Sequence, residues 1–79
     1  QLGVGISLSN IGAVYRRRGE YKKALSYLQR ALLVREQVED RHGIASTLNL
    51  LASTCTGLGK FKDALDYLQR ALKISMESK

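Results

Sequence analysis

The chain has 79 residues, 44% hydrophobic and 25% charged, with no proline and no tryptophan, a balance that excludes native disorder. At this length it forms at most one domain and buries only about 60–65% of the surface that its unfolded chain exposes. The net charge of +6 is shared evenly, seven basic and four acidic side chains in residues 1–40 and six and three in residues 41–79, so there is no separate basic tail; such an excess favours an acidic partner (a peptide, nucleic acid or an anionic membrane surface) and does not bear on fold.

The first element is a helix: Val4, Leu8, Ile11 and Tyr15 recur at steps of four, three and four, the spacing of one helical face. It carries Arg16, Arg17 and Arg18 in its last turn, where cations meet the negative end of the helix dipole, a favourable term of about 0.3–1 kcal/mol. Gly19 ends it, because glycine takes the left-handed conformation before a sharp reversal at little cost.

A second helix follows. Tyr21, Ala24, Leu25, Leu28, Ala31 and Leu32 make one stripe, and Tyr27, Val34 and Val38 widen the apolar arc, so this helix expects neighbours on two sides. The pattern lapses from Glu39 to Gly43, with Asp40 placed to cap the helix that carries Ile44, Leu48, Leu51, Cys55 and Leu58 on one face. Gly59 repeats the role of Gly19, and the last helix shows its wet side through Lys62, Asp66, Gln69 and Lys73, with Asp66 and Arg70 at favourable i,i+4 spacing.

The third and fourth helices repeat the first and second. Lys23-Ala24-Leu25-Ser26-Tyr27-Leu28-Gln29-Arg30-Ala31-Leu32 returns as Asp63-Ala64-Leu65-Asp66-Tyr67-Leu68-Gln69-Arg70-Ala71-Leu72, a shift of 40 residues, and Gly3, Leu8, Gly19 and Lys22 find Gly43, Leu48, Gly59 and Lys62 at the same shift. Two helices per period imply stacked helix pairs, in which one unit cannot bury its apolar face and its neighbour supplies the missing side. Short glycine connections make each pair antiparallel.

The order Leu8, Asn10, Ile11-Gly12, Tyr15, Gly19, Tyr21, Ala24, Tyr27-Leu28, Ala31-Leu32 resembles the tetratricopeptide repeat over essentially the whole chain. The second unit keeps Leu48, Leu51-Ala52, Gly59, Phe61, Ala64, Leu68 and Ala71, with Cys55 in the tyrosine slot. The chain departs from that family in having leucine in the tryptophan-type slot, Glu36 and Met76 in place of its late proline, and a period of 40 against about 34; the extra residues lengthen the second helix and its link. Such longer units look like those of scaffold proteins and of the sensing arms of large signalling proteins. The resemblance implies an all-α fold, antiparallel helix-turn-helix repeats stacked as a short right-handed α-solenoid of four helices, with residues 1–40 as the first pair, residues 41–79 as the second, and both together a fragment of a longer array. Gly12, Ala52, Ala24 and Ala64 are then small so that backbones approach closely.

In that family the first helix of each unit lines the concave side. The candidate binding residues by register are Ile6, Ser9, Asn10, Ala13, Arg16 and Arg17 in unit one and Ser46, Asn49, Leu50, Ser53 and Thr56 in unit two. Asn10 matches the slot where carboxylate-binding members hold a peptide with asparagine, but Ser9 and Ala13 stand where their lysine and asparagine would be, and Asn10 equally suits a hydrogen bond to a neighbouring helix. Arg16 and Arg17 suit paired contacts with carboxylates, or a solvated helix end.

No chemistry competes with binding. Cys55, the sole cysteine, allows no internal disulfide, CxxC pair or zinc site, and on the buried stripe it reads as a packed thiol in a reducing, cytoplasmic setting. His42 has no ligand companions, the aromatics Tyr15, Tyr21, Tyr27, Phe61 and Tyr67 take core positions, and no phosphate loop, paired carboxylates or nucleophile set can be drawn; no cofactor, metal or enzyme is expected. No apolar run approaches a membrane span and no leader opens the sequence. The expectation is a protein- or peptide-binding scaffold module, with nucleic-acid contact through the basic surface, or a sensing arm of a larger protein, as alternatives. Tyr67, Ala71 and Ile74, with no following unit, are expected to lie uncovered and to promote self-association.

Overall fold

The computed structural model describes residues 2–77, which form four helices: α1 (Leu2–Arg17), α2 (Tyr21–Gln37), α3 (Arg41–Gly57) and α4 (Phe61–Glu77). Helix α1 packs along α2 and α3 along α4, while α2 against α3 joins the two units and α1 touches α3 more lightly. Among the described residues there is no strand. The slab measures 32 × 26 × 15 Å.

Three connections of one design set this arrangement. The amides of Glu20, Asp40 and Lys60 each bond the carbonyl five residues back, on Tyr15, Arg35 and Cys55, at 2.9, 3.0 and 2.8 Å. This closure needs a left-handed residue just past the helix. Gly19 (φ 80°) and Gly59 (φ 78°) supply it as expected, and Glu39 (φ 53°) supplies it between the units. Asp40 caps α3 as expected, its Oδ1 accepting from the Gly43 amide at 3.1 Å.

The core lies at the middle of the stack. Ala24, Leu28 and Leu32 of α2 meet Leu48 and Leu51 of α3 with Ala71 of α4, and Ala52, Cys55 and Ala64 continue the buried volume between α3 and α4. A fully buried leucine contributes about 1.5–3 kcal/mol, so the inner helices dominate stability. A Cβ at Gly12 would stand 2.7 Å from Leu28 Cγ, which shows how closely α1 and α2 approach.

The apolar face read from the periodicity is correct in direction but is covered more fully in α3 than in α1, where Leu8 is buried and Tyr15 half-buried. Leu51 and Thr54 are fully buried, whereas their counterparts 40 residues earlier, Ile11 and Val14, are 40% and 43% exposed, and Val4 is exposed too. Helix α3 is packed between α2 and α4, whereas α1 packs on α2 and only lightly on α3.

The same reasoning corrects the expectation for α4. Ala71 is buried and Tyr67 and Ile74 are half-buried, because they turn inward onto α3. The uncovered stripe is Phe61, Leu65, Leu68, Leu72 and Met76. Phe61 thus lies outside the core expected for it, while Tyr21, its counterpart, packs where a Cβ on Gly57 would sit. Arg70 pairs with Glu36 of α2 at 3.2 Å and so ties the units together, where the sequence spacing had suggested Asp66.

Arg35 is the one buried charge of the inter-unit seam. Its stem fills the space beside Gly5, and its guanidinium lies beside Gly43 and 4.0 Å from the Asp40 carboxylate, with Nε unpartnered.

Candidate interaction surface

Helices α1 and α3 lie side by side along one face, joined by two side-chain contacts. Ser9 Oγ is 3.4 Å from Thr47 Oγ1 in the buried seam, and Arg16 donates to Ser53 Oγ at 3.4 Å nearer the surface. Ser9, read from the register as part of the binding surface, is therefore buried: α3 crosses close enough to take its hydroxyl out of water. Arg16 is half-buried with an unpartnered Nε, so it reaches a neighbour as well as the surface.

The remaining candidates are placed as follows. Ile6, Asn10, Arg17, Ser46, Asn49, Ser53 and Thr56 are exposed, and Ala13 and Leu50 are half-buried. The Thr56 hydroxyl donates to the Ala52 carbonyl at 2.9 Å, one turn back on its own helix. Ser46 and Asn49 do not gather with the α1 residues alone; they also line a groove of about 860 Å³ between α3 and α4, with Leu68 and Leu72 opposite.

Charge divides sharply between the two kinds of helix. All seven acidic residues (Glu20, Glu36, Glu39, Asp40, Asp63, Asp66 and Glu77) lie on α2, on α4 or in the connections, and α1 and α3 carry none. Their charged residues are Arg16, Arg17 and Arg41, of which Arg41 pairs with Glu77 at 3.1 Å. The face formed by the first helices is consequently basic and polar.

The tyrosine rings are half-buried, whereas Phe61 is exposed. Tyr15 and Tyr27 stack with centroids 5.5 Å apart and planes 13° from parallel, and Lys23 and Arg30 lie over their outer faces at 5.5 and 5.7 Å. Cys55 is buried, and desolvation, with Asp63 nearby, pushes its thiol pKa up, against the smaller opposing effect of Lys60. Among the described residues no group of three or more His, Cys, Asp or Glu side chains could hold a metal ion, and no helix is long and apolar enough to cross a membrane.

Antiparallel helix pairs repeated at a fixed period, stacked through second helix on first helix, define a helical-repeat protein of the solenoid class. The family model described as Tetratricopeptide repeat matches residues 3–77, and the chain belongs to that family. Tetratricopeptide repeats generally mediate protein–protein interactions and are typically non-enzymatic. No curated protein and no solved structure gives a significant match.

The register put Ser9 on the surface and did not single out the seam residues Thr47 and Arg35. The signal that could have found them is the pairing of small or hydroxylated residues at equivalent places in the two units, Ser7 with Thr47 and Gly5 with Ala45.

Proposed function

We propose that this module binds an acidic protein segment laid across the α1–α3 face, with Arg17 and Arg16 pairing to carboxylates and Asn10, Asn49 and Ser53 bonding its backbone. The observation that carries the reading is the absence of any acidic side chain from both first helices, while every carboxylate lies elsewhere. Charge segregation of this kind steers an acidic partner to one face and suppresses basic ones. The stacking of Tyr15 on Tyr27 supports a protein over a nucleic-acid partner, since single-stranded nucleic acid binds best where aromatic faces are free to stack on bases.

The test is a fluorescence-anisotropy titration with an acidic peptide, its neutral amide analogue and single-stranded RNA. The reading expects binding of the acidic peptide alone, lost in Arg17→Glu at temperatures where circular dichroism shows the variant folded, since the reversed charge in the last turn of α1 lowers stability by about 0.3–1 kcal/mol. Equal binding of the neutral peptide, or tighter binding of RNA with a steep salt slope, rejects it.

A further inference from the structure

Around Tyr27 and Tyr67 the two units agree almost residue for residue, and one of the few departures puts Asp66 where unit one has Ser26. Both residues are exposed. Ser26 lies two residues from Ala24 and two from Leu28, both fully buried, and so on the side of α2 opposite the core. Its exposure does not depend on the number of units in the array, because Ser26 is exposed with a unit stacked after it and Asp66 is exposed with a unit stacked before it.

The surroundings of Ser26 suit an anion. Its hydroxyl has no hydrogen-bond partner among the described residues. Lys22 and Lys23, both exposed, stand four and three residues before it, one helical turn away, which places their Cβ atoms about 5–6 Å from its own. Among the described exposed serines and threonines Ser26 alone follows two cations at this spacing; Ser7, Ser46 and Ser75 do not, and Ser53 and Thr56 are already hydrogen-bonded. Lys23 pairs with Glu20 at 3.4 Å, but Lys22 has no ion-pair partner among the described residues. It also sits in the first turn of α2, which holds no acidic residue, at the positive end of the helix dipole, where a cation is unfavourable. In unit two the chain itself supplies the anion: Asp66 follows Lys62 by four residues, while Arg70 turns away to Glu36.

We propose that Ser26 is a phosphorylation site, taking the γ-phosphoryl group of a nucleoside triphosphate from a protein kinase that reads the cations ahead of it. In the transfer the Ser26 Oγ bonds the γ-phosphorus as the bond from that phosphorus to its bridging oxygen breaks; the nucleoside diphosphate leaves, and the hydroxyl proton passes to the base of the kinase. The start of α2 opens locally to reach the kinase, since Glu20 makes no side-chain cap bond where Asp40 caps α3. The phosphoserine carries about 1.5–2 negative charges and accepts strong hydrogen bonds, so it gives unit one the exposed anion that unit two holds permanently in Asp66.

The test uses the full chain, ATP and a serine/threonine kinase that selects cations three and four residues before its acceptor, with a synthetic peptide of residues 20–30 alongside. Mass spectrometry should place one phosphate on Ser26 in both; Ser26→Ala should abolish it in the chain, and Lys22→Gln with Lys23→Gln should slow it several-fold. A second measurement uses the chain synthesised with phosphoserine at position 26. Its thermal midpoint should equal or exceed that of the wild type, and phosphorus NMR should find its second phosphate pKa below about 6, returning upward when Lys22 and Lys23 are glutamine, because nearby cations favour the dianion. An unlabelled peptide, a labelled peptide with no phosphate on Ser26 of the folded chain, a lowered midpoint, or a phosphate pKa indifferent to the two lysines overturns the proposal.

Discussion

Ser9 Oγ and Thr47 Oγ1 lie 3.4 Å apart in the seam where α1 meets α3, both residues shielded from water. A buried hydroxyl without a partner costs about 1–3 kcal/mol, while removing both members of such a pair is close to neutral. Thr47→Val should therefore destabilise by about 1 kcal/mol, and Ser9→Ala combined with it should recover most of the loss. Urea denaturation of the two single variants and the double variant measures the coupling, and simple additivity would show that the hydroxyls do not depend on each other.

Gly12 sets the approach of α1 to α2. An alanine there gains about 1 kcal/mol of helix propensity, but its methyl meets Leu28 Cγ at 2.7 Å and the Ala24 carbonyl at 3.4 Å, and overpacking costs about 1–3 kcal/mol. The net effect of Gly12→Ala should be destabilising. In contrast, Gly3→Ala, with nothing within 4 Å, should be neutral or stabilising. Thermal midpoints of the two variants compared with wild type decide the sign at each place.

Glu39 occupies, with φ 53°, the left-handed position that Gly19 and Gly59 fill in the other two connections. That conformation costs a residue with a Cβ about 1–2 kcal/mol, partly offset by the greater entropy that glycine brings to the unfolded chain. Glu39→Gly should raise stability by up to about 1 kcal/mol, and Glu39→Val should lower it. Chemical denaturation that ranked valine above glycine would contradict the strain.

Burial raises the pKa of Cys55 above its value in the unfolded chain. The fold thus favours the neutral thiol, and this part of the stability is complete below about pH 8.5, the free thiol value, and is lost as pH climbs from there through the raised folded value. Midpoints recorded between about pH 7 and pH 10 should fall more steeply for wild type than for Cys55→Ala. Parallel curves would show that the thiol does not contribute to the loss.

Much of the fold was legible because its signals are local. Helix spacing, Gly19, Gly59 and the Asp40 cap each act within a few residues, and the 40-residue return of Ala24 to Leu32 as Ala64 to Leu72 declares the stack. What stayed hidden depends on position in the stack. Leu28 and Leu68 sit in the same motif, yet one is fully buried and the other 47% exposed, and only the presence of α3 against unit one makes the difference.

The sequence by itself determined four helices, their pairing and the apolar side of each, since period and turn chemistry are properties of the chain alone. Tertiary structure decided which of those sides is filled, that Ser9 is taken into the seam, and that Glu39 adopts a conformation meant for glycine. Those outcomes depend on what a neighbouring helix covers or constrains, and in a repeat where both units carry nearly the same pattern, only the packed arrangement distinguishes an interior face from an end.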